Sequence, residues 1–176
     1  GNNNTANGAS ALALNTTGNG NTALGVNSMG QNVGGYDNTA VGRNSLQNNL
    51  GAHNVGVGID ALKLYNGSRS TAVGSFALAG NTSGSENTAL GDETGGTCTT
   101  GSKNTFIGTR SGSSNASSTN AIAIGAYATT TADNQVVIGD ANITETQLSG
   151  IVIPRTDNAQ DIGSATKQWK DVYISG

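Results

Sequence analysis

The chain has almost none of the residues on which common catalytic and metal sites depend. Its 176 residues include one histidine and one cysteine. A lone cysteine closes no intrachain disulfide, and one histidine cannot furnish a His-rich metal site. His53, in the loop Gly51-Ala52-His53-Asn54, reads as an ordinary loop residue rather than the base of a Ser-His-Asp site. Cys98, in the polar run Thr97-Cys98-Thr99-Thr100, is expected to be a free surface thiol. Charged residues make up 11% of the chain and the net charge is -3, which gives no basic footprint for nucleic acid. No run has the apolar length to span a membrane, and no signal-peptide pattern opens the chain. It starts inside a repeat at Gly1, as a fragment of something longer would.

What is abundant is glycine, 27 residues, with much asparagine and threonine around it. Such a composition with so few hydrophobic residues fits a disordered low-complexity chain. Regular spacing decides against that. The phrase Asn-Thr-Ala-aliphatic-Gly recurs with its glycine at 8, 25, 42, 58, 74, 91, 108, 125 and 139, in steps of 17, 17, 16, 16, 17, 17, 17 and 14. A period this short is one coil of a solenoid. No window carries a 3.6-residue period, so helix is not expected.

Within each coil the residue before the glycine is aliphatic in all but the first, from Leu24 to Ile138, and the residue two places earlier is Thr, Val or Ile. Between them stands a small residue, mostly Ala. That alternation predicts a short strand with a small-residue face. Leu90 and Ile107 are expected inside, in a stacked aliphatic ladder. A second short strand is expected after the glycine, because three places on come residues such as Ser45 and Ala61, and four places on Met29, Leu46, Leu62 and Leu78. Glycine at the corner meets the need for a positive φ or a close backbone approach.

The run Asn120-Ala121-Ile122-Ala123-Ile124-Gly125, followed by Asn134-Gln135-Val136-Val137-Ile138-Gly139, resembles the head repeat of trimeric autotransporter adhesins. The longer upstream coils, such as Gly20-Asn21-Thr22-Ala23-Leu24-Gly25, are similar to the version in fibres of phages and large viruses. The resemblance covers residues 1–141. It implies a left-handed parallel β-roll, three copies of which lie side by side as a homotrimer. A thin roll that buries mostly Ala, Ser, Leu and Val has little apolar area of its own, which independently favours association.

After Gly139 the composition shifts, and 142–176 reads as a separate β-rich trimer cap or tip. Asp161-Ile162-Gly163-Ser164, with Trp169, Asp171 and Tyr173, resembles the segment that precedes the C-terminal intramolecular chaperone of many phage fibres, with Ile162 in place of Leu. An autocleaved chaperone is an expected continuation beyond Gly176. The neck and stalk of autotransporters are not seen, so the viral relation is favoured.

The expectation for function is therefore a non-enzymatic, all-β fibre segment on a virion surface that mediates attachment to a host receptor, with surface glycan as the ligand class. A bacterial adhesin head on the outer surface, a shaft without a ligand, and an ice-binding solenoid suggested by the threonine column are the alternatives. No cofactor, metal, nucleic acid or membrane insertion is expected. Asp92, Glu93, Asp133 and Asp140 do not fall at matching places in their coils, so neither a calcium ladder nor a glycosidase carboxylate pair is read from them. Recognition energy concentrates in aromatic and arginine side chains. The ligand-binding candidates are accordingly Tyr36, Arg43, Tyr65, Arg69, Arg110, Tyr127, Trp169 and Tyr173, which stand where the repeat does not demand them.

Overall fold

The computed structural model describes residues 1–155, Gly163 and Thr166. The chain divides into two units, Gly1–Ile143 and Thr144–Gly176. The first is a β-solenoid. Its strands are β1 (Thr5–Asn7), β2 (Thr22–Leu24), β3 (Thr39–Val41), β4 (Val55–Val57), β5 (Thr71–Val73), β6 (Thr88–Leu90), β7 (Thr105–Ile107), β8 (Gly112–Ser113), β9 (Ile122–Ile124), β10 (Thr129–Thr130) and β11 (Val136–Ile138). Nine of them, all but β8 and β10, stack in chain order into one parallel sheet. Register is strict: each Thr-Ala-aliphatic triplet lies over the next, as in Thr22 on Thr39, Ala23 on Ala40 and Leu24 on Val41. Eight steps of about 4.8 Å make a sheet roughly 38 Å long. Among the described residues no helix is long and apolar enough to cross a membrane.

The corner glycine is required twice over. Gly25 has φ +133°, and a Cβ there would lie 2.6 Å from the Gly42 carbonyl oxygen of the next coil. Any side chain would therefore clash with backbone and strain its own residue. The expected second strand is mostly absent. Turns follow the glycine instead, and only β8 and β10 pair in that place, as a two-stranded parallel ladder. The cause is a pair of left-handed residues, two and four places after the glycine, such as Asn44 (φ 56°) and Leu46 (φ 49°). A non-glycine residue in that conformation costs about 1–2 kcal/mol. Leu46, Leu62 and Leu78 are nonetheless fully buried. Burial contributes roughly 1.5–3 kcal/mol per side chain, enough to offset the strain.

The asparagine that opens each repeat has a structural task. Asn21, Asn38, Asn54, Asn87 and Asn104 are buried in one column. The Asn38 carboxamide oxygen accepts the Asn54 backbone N–H at 2.9 Å, and the Asn38 amide donates to the Gly51 carbonyl at 3.0 Å. Repeated coil on coil, this satisfies a backbone donor next to each strand that would otherwise be buried without a partner. A second column, seven places after the glycine, closes the polar loop: the Asn32 oxygen accepts the Gly35 N–H at 3.0 Å, and the Asn81 oxygen that of Gly84 at 3.0 Å. Tyr65 of the fourth coil takes the place of that second asparagine, and Ser70, which opens the fifth, that of the first. The Tyr65 hydroxyl donates to Ser70 Oγ at 2.6 Å, so a larger residue on one column is matched by a smaller one on the other.

Two expectations about the interior are corrected. The aliphatic residue before the corner glycine points outward: Leu90 is 49% exposed and Ile107 36%, while Ala89 and Phe106 between the outward residues are buried. The narrow coil admits the small residue of the strand because Met29, Leu46, Leu62 and Leu78 fill the space from the opposite wall. Cys98 is free, as expected, but it is buried rather than on the surface. It occupies the second asparagine column, where its Sγ accepts from Asn81 at 3.7 Å and Asn104 at 3.6 Å. Burial pushes its thiol pKa up.

In the second unit, the described residues carry no strand or helix. The cap expected over 142–176, with Trp169 at its centre, falls mainly outside the described residues.

Candidate binding groove

From the second coil to the eighth, the second residue after the corner glycine forms a column whose chemistry changes along the solenoid: Asn27, Asn44, Asp60, Phe76, Glu93, Arg110, Tyr127, of which Asp60 is buried. The backbone sets its alignment. Each of these residues is left-handed, and its N–H donates to the coil before: Phe76 to Ile59 at 2.8 Å, Glu93 to Ser75 at 2.8 Å, Arg110 to Asp92 at 2.9 Å, Tyr127 to Thr109 at 2.9 Å. The first half is a polar ladder in which Asn44 donates to Asp60 at 2.8 Å and Lys63 donates to Asp60 at 3.1 Å. The second half carries an exposed phenyl ring, an ion pair and a phenol.

Beside the second half lies a groove of about 650 Å³, with Phe76, Glu93, Thr97, Arg110, Ser114 and Thr129 on its walls. Its origin is legible in two columns. Five and six places after the glycine, the third and fourth coils carry Gln47-Asn48 and Lys63-Leu64; the fifth, sixth and seventh carry Ala79-Gly80, Gly96-Thr97 and Ser113-Ser114. Loss of the longer side chains hollows the surface. On its wall Arg110 Nε donates to Glu93 Oε2 at 2.6 Å. That bond holds Glu93 below the usual carboxylate range and raises Arg110 further. Both side chains are about half exposed, so the pair is an available donor and acceptor rather than a large source of stability.

The expected binding residues do not form one site. Arg110 lines the groove and Tyr127 follows it in the same column, close enough to act on the Arg110 charge. Arg43 is exposed two coils before the groove, where its charge acts on Asp60. Tyr36 meets the His53 ring edge-on at 5.4 Å, and Arg69 lies 3.9 Å from Glu86. Tyr65 is corrected: it is fully buried in the coil and offers no surface to a ligand. Trp169 and Tyr173 lie outside the described residues. Phe76 and Thr97 escaped the sequence reading, and Glu93 entered it only as an unmatched acid, although the change from Asn27, Asn44 and Asp60 to Phe76 in one column was there to be seen.

Among the described residues no three His, Cys, Asp or Glu side chains cluster as a metal site would need. Asp133 accepts the Thr119 N–H of the preceding coil at 2.9 Å, and Asp140 accepts that of Asn142 at 3.0 Å as a local turn acceptor. No protein-family model, curated protein or solved structure matches the chain.

Proposed function

We propose that this chain is a segment of a non-enzymatic, homotrimeric attachment fibre on a virion surface, in which three solenoids lie side by side and present loops to a host receptor. One observation carries the reading. The outward face of the nine-stranded sheet is a stripe of Leu24, Val41, Val57, Val73, Leu90, Ile107, Ile124 and Ile138 with Thr, Val or Ile alongside. Leu24, Leu90 and Ile138 in it are each about half exposed in the single chain. An apolar stripe along the full length of a sheet is what self-association covers. The stacked carboxamides and glycine corners make each solenoid stiff, as a fibre needs. The fibre-like segment around Trp169 supports the viral setting by resemblance.

Light scattering at micromolar concentration tests the assembly. A particle of three times 17.5 kDa is expected, and Leu90→Asp with Ile107→Asp should dissociate it without changing the circular dichroism of the solenoid. A monomeric parent chain would overturn the reading. Attachment is tested with the labelled trimer, which should decorate host cells and block infection by the parent particle.

A further inference from the structure

We propose that the groove beside Phe76, Glu93 and Arg110 binds a neutral oligosaccharide. The proposal deepens the attachment reading by giving the receptor's chemistry and the place of contact.

Three ligand classes fit the walls badly. A peptide adding as a strand needs free backbone donors and acceptors. Here Gly95 N–H already donates to Ser111 at 2.7 Å, Gly112 to Ala128 at 3.0 Å and Ser114 to Thr130 at 2.9 Å. An anion needs an uncompensated cation. Arg110 is the cationic wall residue and is held by Glu93 at 2.6 Å, with Asp92 adjacent in the chain. A wholly apolar ligand would strip water from that carboxylate, guanidinium and the hydroxyls of Thr97 and Ser114 without replacing it.

A pyranose ring answers all of these features together. Its C–H face can lie on the 44%-exposed Phe76 ring. Its hydroxyls can donate to Glu93, which has acceptor capacity beyond the single bond to Arg110, and can accept from the remaining guanidinium N–H groups. The walls run from the fifth coil to the eighth, Phe76 to Thr129. Three coil steps span about 14 Å, which favours a short linear oligosaccharide over a single sugar. The groove's volume of about 650 Å³ is that of an ordinary ligand cleft.

The groove can be filled with residues that the same columns carry elsewhere. Ala79→Gln and Gly96→Gln copy Gln47 of the third coil. A Cβ at Gly96 would come no closer than 3.4 Å to a neighbouring atom, the Glu93 carbonyl oxygen, so the backbone accepts it. The parent chain and variants are titrated against gluco-, galacto- and manno-configured neutral oligosaccharides by calorimetry and saturation-transfer NMR, with sialylated and sulfated glycans alongside. At least one neutral oligosaccharide should bind the parent. Phe76→Ala should weaken it about tenfold, and the filled variant should lose it, with melting temperature unchanged in both.

Absence of any neutral ligand at millimolar concentration, binding confined to anionic glycans, or binding that survives filling would each overturn the proposal. Light scattering on the same samples separates the two readings. A trimer that binds no saccharide refutes the groove alone, whereas a monomer that binds through it refutes the fibre assembly alone.

Discussion

Phe106 fills the interior space that Gly95 leaves open. The position four places after the corner glycine is Met or Leu from the second coil to the fifth, then becomes Gly95. A Cβ on Gly95 would come within 2.9 Å of the Phe106 ring and 2.7 Å of a Leu78 methyl. Phe106 in turn stands where other strands place Ala. One bulky side chain has thus moved from the turn wall to the strand wall of the coil.

This exchange predicts strong coupling. Phe106→Ala should destabilise by about 3–5 kcal/mol through the cavity it leaves. Gly95→Leu alone should also destabilise, by overpacking. Together they should be less harmful than the sum, because Leu46, Leu62 and Leu78 show that leucine is accepted at this left-handed place. Denaturant melts of the four chains form the cycle, and simple additivity would refute the space-sharing account.

The carboxamide ladder predicts a sharp penalty for a small change. Asn38→Ala strips the Asn54 N–H of its partner and leaves the Gly51 carbonyl only the longer bond from Asn49, at about 1–3 kcal/mol. Asn48→Ala should be near neutral by comparison, since its buried oxygen makes no hydrogen bond. Equal melting of the two variants would contradict the ladder's role.

Strand facing predicts opposite outcomes for neighbouring residues. Ala89→Asp buries an unpaired carboxylate, which should unfold the middle coils at a cost of several kcal/mol. Leu90→Asp, on the outward side, should leave the fold of a single chain intact. Far-ultraviolet circular dichroism and limited proteolysis distinguish them, and matching loss of structure in both would show the outward assignment to be wrong.

Cys98 should be silent to a thiol reagent in the native protein and titrate as one thiol per chain after unfolding. Its burial and raised pKa both withhold the thiolate. Rapid labelling of the folded chain would refute its place inside the coil.

Asp60 predicts an acid-side loss of stability. Burial raises its pKa, but hydrogen bonds from Asn44 and Lys63 and the charges of Lys63 and Arg43 outweigh that and leave it lowered. A carboxylate depressed by folding stabilises above its unfolded value, near 3.9, and that share is lost as pH falls through the folded value. Thermal melts of the parent and Asp60→Asn should therefore differ at pH 7 and converge below about pH 4. A constant difference across that range would count against the linkage.

Much of the coil was legible because its signals are local. The corner glycine and the Thr-Ala-aliphatic alternation depend on φ and on the two-residue period, both carried by adjacent residues. The groove was less so: Phe76 and Glu93 are unremarkable in the linear chain and become neighbours only when coils of 17 residues are stacked. Nor did local preference foresee the turn after the glycine. Leu46 and Leu62 look like strand or helix residues, and only the closure of the coil makes a left-handed leucine worth its strain.

The sequence by itself determined the coil period, the place of the strand before each corner glycine, and the parallel stacking, because a repeat that cannot bury its faces alone must stack on its copies. Which strand face turns inward was decided by the tertiary structure. Alternation makes two faces but does not label them, and hydrophobicity alone assigns Leu90 inside and Ala89 out. The closed coil reverses that, because its cross-section already holds leucines from the turn wall and two asparagine columns. The width left over admits alanine, and the aliphatic ladder is placed on the outside.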